Sequence, residues 1–120
     1  MKLHLGGNNL RVEGSKLISS FLVNNSSLTD LSLNRNGLND DAAISISDSL
    51  KINGSLLILD LSSNRIREKG ILSISEMLKL NTSLLRVDLG FNNLNEKSKI
   101  AIQNALSRNK NVSCNTEDAL

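Results

Sequence analysis

Apolar and polar residues along this 120-residue chain switch between two periods at a constant interval. Alternate positions are apolar at Leu3 and Leu5, Leu31 and Leu33, Leu59 and Leu61, and Val87 and Leu89. Side chains that alternate this way leave opposite faces of an extended strand, so each pair predicts a short strand with one buried face. His4, Ser32, Asp60 and Asp88 intervene and belong on the solvent-facing side. Downstream of each strand the period lengthens. Ala43, Ile46, Ser47 and Leu50 follow the spacing of one helix face, behind Asn39, Asp40 and Asp41. That polar, acidic lead suits a helix N-terminus, where backbone N–H groups lack acceptors. Ile18, Ile46, Ile74 and Ile102 share one phase, and Leu22, Leu50, Leu78 and Leu106 another. Every repeat therefore predicts one helix of about a dozen residues with a wide apolar stripe.

The interval is 28 residues. Leu28-x-x-Leu31-x-Leu33-x-x-Asn36-x-Leu38 recurs at Leu56 to Ile66 and at Leu84 to Leu94, and in shortened form at Leu3 to Leu10. Repeats fall near residues 1–27, 28–55, 56–83 and 84–111. The helices run into Asn25-Ser26-Ser27, Asn53-Gly54-Ser55, Asn81-Thr82-Ser83 and Asn109-Lys110-Asn111. Asparagine tolerates a left-handed helix cap, and Ser or Gly suits the turn into a strand. After Val112 the pattern fails, because Asn115 and Glu117 hold phases that were apolar before. Residues 112–120 read as a polar tail or a broken fifth repeat. A strand, a helix and a return at a fixed step stack as parallel strands on one side and helices on the other. No repeat buries its apolar strip alone, so neighbours must supply the stability. Uncapped ends invite continuation of the array, a partner or self-association.

Composition adds limits. The core material is Leu, Ile and Val, with only Phe21 and Phe91 as aromatics, which fits one repeated layer better than a globule packed around large rings. Lys and Arg number 14 against 12 Asp and Glu, a balance that argues against nucleic acid or membrane as partner. The densest basic group, Lys97, Lys99, Arg108 and Lys110, has no aromatic interleaved and reads as a solvated helix face. The single Cys114 excludes an internal disulfide or a cysteine-based zinc site and fits a reducing compartment. The repeat pattern starts at once, leaving no room for a signal peptide. No apolar run approaches the roughly 20 residues needed to span a bilayer, so a cytoplasmic location is expected. Asn-x-Ser sequons begin at Asn24, Asn25, Asn53, Asn81 and Asn111. Most sit at or next to one repeat phase, and repetition accounts for them.

Little in the sequence points to catalysis. His4 is the only histidine, and no acid–base partner recurs near it in sequence. Asp60 and Asp88 hold one phase in adjacent repeats, about 4.8 Å apart, and read as an acidic strip for a basic partner. Gly6 and Gly7 lack the Lys and Ser/Thr of a phosphate loop. No cofactor or metal is implied.

The repeated L-x-x-L-x-L-x-x-N-x-[LI] pattern resembles the leucine-rich repeat in its longer helical subtype. Ribonuclease inhibitor, NOD-like receptors, the Ran GTPase-activating protein and the C-terminal domain of tropomodulin share that subtype. The resemblance covers residues 1–111 and implies an α/β horseshoe of about four repeats, with strands on the concave face and helices on the convex face. It also implies that Asn8, Asn36, Asn64 and Asn92 form an asparagine ladder. An amide supplies both a donor and an acceptor where the chain bends out of a strand. The arginine-bearing loop of the GTPase activator has no counterpart at Arg35, Arg65 or Arg86, and ribonuclease inhibitor is rich in cysteine where this chain has one. The expected function is non-catalytic binding of a protein partner through the strand face. Arg35, Ile58, Asp60, Arg86, Asp88, Phe91, Asp30 and His4 are its candidate residues. The alternatives are a regulatory fragment of GTPase-activating or actin-capping type, by family analogy, and a structural segment of an assembly.

Overall fold

In the computed structural model, which describes residues 1–118, strands and helices alternate strictly. The strands are β1 (Lys2–His4), β2 (Asp30–Ser32), β3 (Ile58–Asp60), β4 (Arg86–Asp88) and β5 (Ser113–Asn115). The helices are α1 (Arg11–Asn24), α2 (Asp40–Leu50), α3 (Glu68–Leu80) and α4 (Glu96–Arg108). All five strands pair in parallel, in chain order, and each helix packs on its sequence neighbours. The result is a strand–helix solenoid. Its core holds Leu31, Leu59 and Val87 from the strands and Ile46, Ile74, Ile102, Leu50 and Leu78 from the helices. Removing one such side chain to Ala leaves a cavity and costs about 2–5 kcal/mol.

The sheet runs one strand beyond the point where the 28-residue pattern ends. Lys2, Asp30, Ile58 and Arg86 pair in register at that step, but Arg86 pairs with Ser113 at a step of 27. One residue is missing between Val112 and the strand. Cys114, not Asn115, therefore takes the inward phase of Val87. A fixed step of 28 shifts every later side chain to the wrong face of a strand, which is why the repeat reads as broken there.

Two asparagine ladders fix the repeats to one another, one at each edge of the layer. At the strand exit, the Asn64 amide nitrogen donates to the carbonyls of Leu33, Leu61 and Ser62 at 3.1, 2.9 and 3.1 Å. Its Oδ1 accepts from the backbone of Asn36 and Leu38 at 2.9 and 3.1 Å. Asn36 and Asn92 repeat the arrangement on neighbouring layers. The second ladder stands where the helices return to the sheet. Asn81 Nδ2 donates to Leu50 O and Asn53 O at 2.8 and 3.3 Å, while its Oδ1 accepts from Ser83 and Leu84 at 2.8 and 2.7 Å. Asn53 and Asn109 do the same one layer before and after. These residues are not left-handed caps. Asn25, Asn81 and Asn109 have φ of −90°, −71° and −132°, and in Asn81 and Asn109 this extended backbone aims the amide at the preceding repeat. The serine two residues on closes an Asx turn, which is the physical origin of the recurrent Asn-x-Ser.

Helix starts are also shared between repeats. Asn39 caps α2 through Ala42 N at 3.1 Å, and Asn95 caps α4 through Ser98 N at 2.8 Å. Arg67 at the start of α3 supplies no cap of its own. Asp40 of the preceding repeat fills that role, accepting from the backbone of Arg67 and Gly70 at 2.7 and 3.0 Å. A Cβ at Gly70 would stand 2.7 Å from the same carboxylate oxygen, so glycine is needed for that approach.

Candidate protein-binding face

Parallel pairing lines up the outward side chains of the strands in columns. The first column is Lys2, Asp30, Ile58, Arg86 and Ser113; the second is His4, Ser32, Asp60, Asp88 and Asn115. A third lies at the strand exits, where Gly7, Arg35, Ser63 and Phe91 all have φ between 56° and 73°. Glycine takes that left-handed conformation freely, whereas Arg, Ser and Phe hold it at a cost. Main-chain bonds to the following repeat impose it, from Arg35 N to Ser62 O at 3.3 Å and from Ser63 N to Gly90 O at 2.8 Å. Phe91, in this column, is 46% exposed, so its ring lies on the surface and not in the core. Arg35 and Arg86 are also exposed.

The structure thus brings Asp30, Ile58, Asp60 and His4 together around a shallow depression of about 240 Å³, also lined by Leu31 and Ser32. Arg35 and Phe91 stand apart from it, one at each of two strand exits. His4, Ser32 and Asp60 are consecutive in the second column, which sets a serine between the histidine and the carboxylate. A catalytic relay needs the histidine in the middle. Ser32 Oγ donates to Asn34 Oδ1 at 2.9 Å and, more weakly, to Asp60 Oδ2 at 3.5 Å.

Asp60 and Asp88 do not form a freely available acidic strip. Asp60 Oδ1 accepts from Ser62 N at 2.9 Å and Ser62 Oγ at 2.6 Å. Asp88 Oδ1 accepts from Gly90 N at 2.9 Å and Asn115 Nδ2 at 3.0 Å. One oxygen of each carboxylate therefore shapes the turn that leaves its strand. Asp30 lies 3.9 Å from the Lys2 ammonium, an exposed pair worth little.

Two residues of this face fall outside the alternating pattern. Leu57 and Leu85 sit just before β3 and β4, and with Ile58, Arg86 and Ser113 they line an open cleft of about 320 Å³. Leu85 is 53% exposed. The next repeat lacks the residue at this phase, which leaves the side of Leu85 uncovered. The sequence signal was present: Thr29, Leu57 and Leu85 share one phase, a column of its own beside the predicted strands.

Below the sheet's last strand, the Cys114 thiol is free. Burial and the nearby Asp88 carboxylate push its pKa up to about 12, so the thiol stays protonated at neutral pH and is a poor nucleophile. No group of three His, Cys, Asp or Glu side chains among the described residues lies close enough to hold a metal ion. No helix among them is long and apolar enough to cross a membrane.

Comparison with known proteins accords with this geometry. A leucine-rich-repeat family model matches residues 24–47 and 53–75. No curated protein sequence matches the chain. Among solved structures, one titled as the leiomodin-1 actin-binding site 2 superposes with a TM-score of 0.86 at 22% identity, covering 98% of this chain and 70% of that one. The tropomodulin C-terminal domain from Caenorhabditis elegans gives a TM-score of 0.85 at 12% identity, with 98% and 73% covered. At these identities the likeness is one of fold.

Proposed function

We propose, from the premise that this chain is a leucine-rich-repeat protein, that it is a non-catalytic module binding a protein partner through its concave strand face. The observation that carries this reading is the cleft of Leu57, Ile58, Leu85, Arg86 and Ser113. It offers an exposed leucine and a guanidinium unpaired among the described residues side by side on a sheet whose backbone is fixed by two ladders. Apolar and Arg anchors on a rigid frame are what concentrates binding energy in a protein interface. A matching partner segment carries an apolar side chain for the cleft and a carboxylate for Arg86. Arg35 and Phe91 flank the cleft's repeats at the strand exits, and the His4, Asp30, Ile58 and Asp60 depression extends the surface toward β1. Asp60 and Asp88 hold the turns with one oxygen each, and the other oxygen of Asp60 accepts from Ser32 Oγ at 3.5 Å.

The test is a pull-down from cell extract with mass spectrometry, comparing the wild type with a Leu85→Asp, Arg86→Glu, Phe91→Gly variant. All three side chains are exposed, and Phe91→Gly relieves a left-handed residue, so folding is expected to persist. The expected outcome is one partner captured by the wild type and lost by the variant at unchanged circular dichroism. Equal capture by both proteins sinks the reading. The leiomodin-1 structure is an actin-binding site, which supports the class of function and singles out actin as one specific partner to assay. Co-sedimentation with filamentous actin addresses that narrower reading.

A further inference from the structure

The two ends of the solenoid differ in chemistry. In α4, whose only helix neighbour among the described residues is α3, the buried residues include Ser98 and Ala105, so their phase faces the preceding repeat. At that phase α2 buries Ala42 and Ser49, and α3 buries Gly70 and Met77. In α1 the same phase holds Gly14 and Phe21, with Leu17 between them on one stripe. Leu17 is 74% exposed and Phe21 42%. The opposite phase faces the following repeat: Ala43 and Ser47 in α2, Ile71 and Ser75 in α3, all buried. In α4 it becomes Lys99 and Gln103. One end is finished with polar side chains; the other presents leucine and phenylalanine.

Both ladders also stop short at the apolar end. Each interior asparagine of the strand-exit ladder accepts backbone N–H groups of the preceding repeat, yet Asn8 uses only its amide nitrogen, on Leu5 O and Gly6 O. Among the described residues nothing donates to its Oδ1. In the second ladder Asn53, Asn81 and Asn109 donate to carbonyls of the preceding repeat. Asn25 Nδ2 instead reaches only Ser27 Oγ, at 3.3 Å. The outer edge of β1 pairs with no strand among the described residues.

We infer that this end face is a stacking surface for one more repeat of the same 28-residue type, laid in parallel register on β1 and α1. An acceptor at Asn8 Oδ1 and a donor at Asn25 Nδ2, each at an edge of the same layer, match the main-chain N–H and C=O groups that every interior repeat offers at those two places. Leu17 and Phe21 lie between them and meet the helix of that repeat. A second copy related by a two-fold axis brings an antiparallel strand, which cannot fill sockets spaced for a parallel one. The polar Lys99 and Gln103 end of a copy mismatches the apolar stripe.

The experiment joins a copy of residues 28–56 ahead of Met1 of the full chain, which preserves the step of 28. Stacking on the face raises the unfolding midpoint by about 5 °C or more. It also slows amide exchange at Leu3, His4 and Leu5 by at least about tenfold. Leu17→Asp with Phe21→Asp abolishes both gains in the extended chain. In the original chain the same pair shifts the midpoint by less than in the extended chain, since Leu17 is exposed there and Phe21 only partly covered. The inference is overturned if the added repeat exchanges like unfolded chain with the midpoint unmoved. It is equally overturned if the original chain sediments as a dimer that the double substitution dissolves, which assigns the face to a second copy. Neither result bears on the strand face, whose cleft lies on β3 to β5.

Discussion

The interior layers and the end layers of this solenoid are built from the same residues, but they are not held in the same way. Asn64 makes five hydrogen bonds, three as donor and two as acceptor, across its own repeat and the preceding one. Asn8, at the identical phase, donates twice within its own turn. The inward strand residues Leu31, Leu59 and Val87 are at most 1% exposed, whereas Leu3 and Cys114 at the two ends are partly open. The comparison teaches that an asparagine here acquires its energetic weight from having a preceding layer to bond. Residue type alone does not confer it.

The largest expected effect tests that directly. Asn64→Ala and Asn81→Ala each strand buried backbone groups in two repeats, at a cost of about 3 kcal/mol. Each should lower the unfolding midpoint by about 10 °C in a calorimetric scan. If one ladder proves silent while the other does not, the two edges are not equivalent. A smaller effect is expected at the β5 end. Burial holds the Cys114 pKa up at about 12 in the folded state, against the ordinary thiol value of 9.0 in the unfolded chain. Between those values the unfolded state binds fewer protons than the folded state, so stability is full below about pH 9 and falls as pH rises toward 12. Denaturant titrations at stepped pH should show that slope, and Cys114→Ala should flatten it. The smallest effect belongs to the opposite end. Asn8→Ala should move the midpoint by less than about 3 °C, because its partners remain open to water. A loss as large as that of Asn64→Ala would erase the distinction between interior and end.

Much of this architecture is legible in the sequence because its causes are periodic. Alternation places the strands, the wider spacing places the helices, and the common phase of Asn36, Asn64 and Asn92 marks a polar residue inside an apolar layer. Where legibility ends, a second physical factor competes. The asparagines at 25, 53, 81 and 109 have the same periodicity, but a local rule for helix ends explained them too well. The true partners of Asn53, Asn81 and Asn109 lie in the preceding repeat. At β5 a single-residue change of step makes the repeat read as broken, since strand faces invert with every residue. Asp60 and Asp88 looked available as charges because the pattern shows phase but not that Ser62 and Gly90 N–H groups already occupy them. Leu57 and Leu85 precede the alternating positions, so a reading centred on the strands passed over the most apolar part of their face.

The change of step at β5 also bears on how this chain can vary in length. Each interior repeat is pinned at both edges by an asparagine whose partners belong to the adjacent layer, so adding or deleting a residue between two rungs detaches one ladder from the other. The chain's own departure from the 28-residue step comes after Asn109, the last rung of the second ladder described here. There a deletion leaves every earlier rung seated. Insertions and deletions in natural or designed variants should therefore accumulate outside the final rung or in solvent-facing loops that bypass both ladders, which makes the interior repeat length a conserved quantity of the fold.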